Sequence, residues 1–82
     1  MNKYEELALA IVDYEMVGYY DLIDAYGSEA NAYHCIVNDL YSNKIDVSWY
    51  KELLEYEEPD EEETVMLNRI IELADEIEKE SN

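Results

Sequence analysis

The sequence predicts an all-α protein, a compact bundle of four to five short helices forming a single domain over residues 1–82. Three observations carry this reading. Apolar residues recur at spacings of three and four along most of the chain, the period of a helix with one buried face. Only two glycines and one proline occur in 82 residues, which leaves few turns and favours helices joined by short links. Residues of capping type precede several of the periodic runs. The sequence carries no internal repeat at solenoid periods.

The first helix starts at Asn2, with Glu5 three residues on in capping-box spacing. Tyr4, Leu7, Ala8, Ile11 and Tyr14 then form one apolar stripe. Leu9 and Val12 lie off it, which predicts burial on more than one side. Gly18 interrupts the stripe. A short second helix is predicted over Tyr19–Tyr26, with Leu22, Ile23 and Tyr26 facing in, and Gly27 ends it in the left-handed conformation open to glycine. The tyrosines of segment 16–27 also suit a strand.

Ser28 caps a third helix, with Glu29 well placed against the N-terminal partial charge. Its inner stripe reads Tyr33, Ile36, Val37 and Leu40, and Ser42-Asn43 ends it. Ile45 to Val47 reads as a short extended link. A fourth helix is predicted from Ser48 to Tyr56 through Trp49, Leu53 and Leu54. Pro59 stops it, and Asp60 with Glu63 opens the last helix. There Met66, Leu67, Ile70, Leu73, Ala74 and Ile77 share one face, while Glu72, Asp75, Glu76 and Glu80 point away. Ser81-Asn82 is expected to fray.

Charge narrows the function. Twenty-two acids against five Lys and Arg give a formal charge of −17. Nucleic acid and anionic membrane surfaces are repelled as direct ligands. The 49% hydrophobic content, with nine tyrosines, excludes a disordered acidic tail. The lone cysteine, Cys35, forms no internal disulfide and suits a reducing compartment. The longest apolar run, Leu7 to Val12, is short of the ~20 residues that span a bilayer, and no segment reads as a secretion signal. The expected location is the cytoplasm.

Catalytic and metal chemistry find little purchase. His34 and Cys35 are adjacent, and neighbours on a helix point about 100° apart, so they do not form a nucleophile–base pair. Cys35 is expected to be buried or half-buried beside a surface histidine. No second Cys or His completes a zinc set, no Gly-rich phosphate loop or nucleophile elbow occurs, and no EF-hand pattern is present. The expectation is a non-enzymatic protein with no cofactor and no metal.

What remains is the distribution of acids. Glu55, Glu57, Glu58, Asp60, Glu61, Glu62 and Glu63 place seven acids in nine positions. Glu72, Asp75, Glu76, Glu78 and Glu80 form a second group. Asp13, Glu15, Asp21 and Asp24 form a third, interleaved with Tyr14, Tyr19, Tyr20 and Tyr26. A solvated face and a favourable helix N-terminus account for part of the first group, at ~0.3–1 kcal/mol for each best-placed acid. They do not account for −17, since small domains stay soluble at a net charge of magnitude ~2–8 and self-repulsion works against compactness.

A functional reading is mimicry of duplex DNA, which carries one charge per ~1.7 Å of axis; acids one helical turn apart approximate a phosphate row, and tyrosines among them supply flat contacts. In composition and charge pattern, through the 55–63 cluster, the 72–80 stripe and Tyr14, Tyr19, Tyr20 and Tyr26, the chain resembles phage-encoded acidic DNA-mimic inhibitors, of the anti-restriction and anti-CRISPR class. That resemblance implies a phage or mobile-element protein acting in a bacterial cytoplasm, whose partner is a nucleic-acid-binding protein such as a Cas nuclease or restriction enzyme. The expected partner-binding residues are Glu55, Glu57, Glu58, Asp60, Glu61, Glu62, Glu63, Glu72, Asp75, Glu76, Asp21, Asp24 and Tyr20. The alternative is a small acidic helical adaptor, or antitoxin-like protein, that binds a basic partner without copying DNA geometry. Such a protein leaves an apolar patch exposed, for which Tyr19-Tyr20 and Trp49-Tyr50 are the candidates, as they are for a homodimer seam. The competing expectation for Trp49, from its spacing to Leu53, is a place in the core.

Overall fold

The computed structural model describes residues 1–18, 21–42 and 46–81. Its helices are α1 (Lys3–Gly18), α2 (Asp21–Tyr26), α3 (Glu29–Ser42), α4 (Ser48–Tyr56) and α5 (Glu61–Ser81). The described residues contain no strand, so the strand alternative for segment 16–27 is not adopted there. Tyr19, Tyr20, Asn43, Ile45 and Asn82, on which several sequence expectations fall, lie outside the described residues.

Local capping sets most of the boundaries. Asn2 and Glu5 close a reciprocal box: the Glu5 N–H donates to Asn2 Oδ1 at 2.9 Å and the Asn2 N–H donates to Glu5 Oε1 at 3.0 Å. Asn thus plays the part usually taken by Ser or Thr. Ser28 Oγ accepts from the Asn31 N–H at 3.1 Å, and Gly27, at φ +87°, supplies the left-handed turn out of α2. The Asp46 carboxylate accepts from both the N–H and the hydroxyl of Ser48, at 3.0 and 2.7 Å. Val47, at φ −110° and ψ 15°, is not the extended residue the sequence pattern predicts. It lies between that aspartate turn and the first turn of α4.

Packing is organised around α1. Lys3 reaches Glu76 and Glu80 near the C-terminal end of α5, while Arg69 approaches Glu6, so α1 and α5 run antiparallel. Leu7, Ile11 and Tyr14 of α1 meet Leu67, Ile70, Leu73, Ala74 and Ile77 of α5 in the main core. The stripe expected on α5 is therefore the buried one. On its other side α1 packs against α3. Val12 joins Leu22 and Ala32 in a second buried cluster, and Tyr4 stacks on Tyr41 with ring centroids 4.6 Å apart. Helix α4 lies on α5, with Val47, Tyr50, Leu53 and Leu54 against the main core.

Several side chains depart from their expected faces. Ile23 is exposed rather than inward, because α2 is a single short helix that, among the described residues, packs on α3 and α1. Leu9 is also exposed, since α5 and α3 occupy the two flanks of α1 and leave its outer ridge open. Cys35 is exposed, contrary to the expectation of burial. Trp49 is 45% exposed instead of completing the core; the neighbouring Tyr50 takes the inward position and meets the Trp49 ring edge-on at 4.9 Å.

Candidate functional site

The acidic segment 55–63 is built where two helices meet head to tail. Helix α4 ends at Tyr56, the Glu57 N–H donates to the Leu53 carbonyl at 3.1 Å, and the chain turns through Glu58 and Pro59 into α5. Asp60 caps α5, its Oδ1 accepting from the Glu63 N–H at 2.8 Å. The Thr64 hydroxyl adds a bond to the Asp60 carbonyl at 2.7 Å. Glu55, Glu57, Glu58, Asp60, Glu61 and Glu62 are exposed, and Glu63 is half-buried.

These seven acids divide by physical role. Glu61, Glu62 and Glu63 occupy the first turn of α5, where a negative charge is stabilising, and Asp60 satisfies one of its open N–H groups. Glu55, Glu57 and Glu58 sit at the opposite pole, around the C-terminus of α4. The last turn of that helix holds no basic residue, and acids there are repelled by the exposed carbonyls at a cost comparable to the gain at an N-terminus, about 0.3–1 kcal/mol each. Glu58 also has φ +46°, a left-handed conformation that suits glycine and costs an L-residue about 1–2 kcal/mol. Folding accounts for four of the acids and is opposed by the other three.

The second group lies at the far end of α5. Glu72, Asp75, Glu78 and Glu80 are exposed. Glu76 does not simply point away, as the sequence pattern predicts. It is half-buried and bonds to Lys3 Nζ at 2.9 Å, tying the start of α1 to α5. That bond, with the Lys3 charge, holds the Glu76 carboxyl below the usual glutamate range and raises the Lys3 ammonium above its ordinary value. The stretch from Glu63 to Glu72 spans about 14 Å of helix at 1.5 Å per residue and contains Arg69. The two groups are thus separate patches, one around the start of α5 and one over its second half, and no single acidic row runs along it.

The third group is dispersed. Asp13 and Asp24 are exposed, while Glu15 is half-buried and its carboxyl is pushed up by that burial. Tyr14, which the sequence sets both on the apolar stripe of the first helix and among the acids, is a core residue with its ring edge-on to Tyr50 at 6.1 Å. Burial also pushes up the Tyr50 hydroxyl, reinforced by Glu15, Tyr14 and Tyr26. Tyr20 and the side chain of Asp21 lie outside the described residues. The aromatic residue that does stand among acids is Tyr56, 71% exposed between Glu55 and Glu57. Seven residues separate it from Trp49, two helical turns, so both belong to the outer face of α4. The spacing of Trp49, Leu53 and Tyr56 reads equally well as an inner stripe, which hid this face from the sequence pattern.

Among the described residues, no group of three or more His, Cys, Asp or Glu side chains is placed to hold a metal ion. No helix among them is long and apolar enough to cross a membrane. No family model matches the chain, and neither a curated protein nor a solved structure matches it.

Proposed function

We propose that the protein is a non-enzymatic inhibitor that occupies the nucleic-acid-binding groove of a bacterial defence protein, a CRISPR effector or a restriction enzyme, by presenting acids in place of phosphates. The observation that carries this reading is the placement of Glu55, Glu57 and Glu58. They gather around a helix C-terminus that repels them, one of them in a left-handed conformation, beside the exposed Tyr56. Residues that folding opposes are candidates for a role in binding.

Dimensions add support. The longest extent of the fold is 33 Å, close to one duplex turn of about 34–36 Å. The two acidic patches on α5 would then contact separate basic surfaces of the target. An acidic adaptor that ignores DNA geometry is the second reading, favoured by the exposure of Leu9 and Val65.

The test is capture from bacterial lysate by the immobilised protein at low and high salt, with bound proteins identified by mass spectrometry and challenged with duplex DNA. The reading expects a nuclease or other DNA-binding protein released by DNA, and loss of capture by the Glu55→Lys, Glu57→Lys, Glu58→Lys variant at undiminished helicity. A partner indifferent to DNA, or full capture by the variant, contradicts it.

A further inference from the structure

Among the described residues α4 is the one helix with no buried side chain. It is held by Tyr50, Leu53 and Leu54, with Val47 just before it, all half-buried against the main core. Its backbone approaches α5 and, among the described residues, no other helix; Tyr50 adds an edge-on ring contact with Tyr14 of α1, at 6.1 Å. Helices α1, α3 and α5 instead share fully buried residues, Leu7, Val12, Ala32, Leu67 and Ile70 among them. An element that buries few apolar side chains opens locally at a lower free energy than the core it rests on.

Charge works in the same direction. From Ser48 to Glu58 one cation, Lys51, stands against Glu52, Glu55, Glu57 and Glu58. Lys51 lies toward the start of the helix, while Glu55, Glu57 and Glu58 surround its C-terminal carbonyls, where negative charge is repelled. That repulsion exists only while α4 is wound, so it favours the open state. We propose that α4 is a detachable strap: it unwinds from α5 while α1, α3 and α5 stay folded, and a cationic surface bound at its acidic end closes it. Opening uncovers the part of the main core beneath Tyr50, Leu53 and Leu54. Closure follows from linkage. The docked state gathers the acids around a carbonyl-rich helix end and holds a cation more tightly than the open chain does, so binding favours docking by that difference. Opening stands on packing and charge; its closure by a partner rests on the reading of Glu55, Glu57 and Glu58 as the binding acids.

The test is native-state hydrogen exchange of the full chain, followed by NMR at pH 7 and low salt over a series of urea concentrations below the unfolding transition. The amides from Lys51 to Glu57, bonded within α4, are expected to share one protection factor, about tenfold or more below that of Leu67, Ile70 and Leu73. Their protection is also expected to fall less steeply with urea, as an opening that exposes less surface does. The combined Glu55→Gln, Glu57→Gln, Glu58→Gln variant is expected to raise protection in α4 about fourfold or more. Deca-lysine, the probe for a cationic surface, raises it in the wild type and not in that variant. Equal protection and equal urea dependence in α4 and α5 overturn the strap, because the chain then opens only as a whole. No gain in the Gln variant overturns the role of charge, and an equal response of wild type and variant to deca-lysine overturns closure at this end. Failure here is distinct from failure of the inhibitor reading. DNA-displaced capture by a protein whose α4 never opens alone removes the strap and leaves that reading standing, and a working strap in a protein that captures no DNA-binding partner does the reverse.

Discussion

Two substitutions in the turn between α4 and α5 remove the same charge yet are predicted to move stability in opposite directions. Asp60→Ala deletes the carboxylate that accepts the Glu63 N–H at 2.8 Å. Loss of an N-cap costs about 1 kcal/mol, which corresponds to a fall of about 4–8 °C in Tm for a domain of this size. Glu58→Gly relieves a residue held at φ +46°. The left-handed conformation costs an L-residue about 1–2 kcal/mol, and the greater unfolded-state freedom of glycine takes back about 0.5–1 kcal/mol. The net gain is about 0–1.5 kcal/mol, a rise of up to several degrees. Both variants are measured by thermal unfolding followed by circular dichroism at pH 7 and fixed salt. If charge relief dominated this turn, the two would rise together by similar amounts. That outcome would refute the assignment of Asp60 as a structural acid and Glu58 as a strained one.

Other expectations follow from the same interactions. Glu15→Gln is expected to raise Tm at pH 7, because burial raises the folded carboxyl pKa and its ionisation opposes folding; in the wild type this contribution recovers as pH falls through the folded pKa toward the unfolded one. A pH series of melting curves checks it, and the Gln variant is expected to show a shallower rise on acidification. The Glu76 contribution has the opposite sign: its folded pKa is lowered, so it is fully present above the unfolded value and lost as pH falls through the folded one. Lys3→Met is expected to lower Tm at low salt, leaving Glu76 and Glu80 unscreened, with the deficit shrinking in 1 M salt, where the Debye length is about 3 Å. Leu67→Ala, at a fully buried position, is expected to cost about 2–5 kcal/mol. Against a total near 4–12 kcal/mol for a chain of this length, denaturant titration is expected to show a largely or wholly unfolded protein at the low end of that range.

The helix boundaries were legible in the sequence because their causes are local. Asn2 with Glu5, Ser28 and Asp60 each act through a hydrogen bond that spans three residues, so spacing alone reveals them. The stripe of α5 was legible for the same kind of reason: only one face of that helix is apolar. Helix α1 is apolar nearly all round, and which of its residues remain outside depends on where α3 and α5 dock. Val12 is buried and Leu9 is not, although both stood off the main stripe. Trp49 and Tyr50 are adjacent aromatics on a short helix, and the rotation of α4 on α5 decides which one enters the core. The acidic turn was visible as a cluster. Its division into acids that folding favours and acids that it opposes required knowing which helix ends there and which begins.

The central claim, that acids around 55–58 stand in for phosphates, is tested most directly by steady-state inhibition of the captured nuclease with duplex DNA as the varied substrate. The account predicts competitive inhibition: the apparent KM for DNA rises with inhibitor, kcat is unchanged, and the Glu55→Lys, Glu57→Lys, Glu58→Lys variant loses the effect. A fall in kcat at unchanged KM, retained by that variant, would place the inhibitor outside the DNA groove and contradict the account.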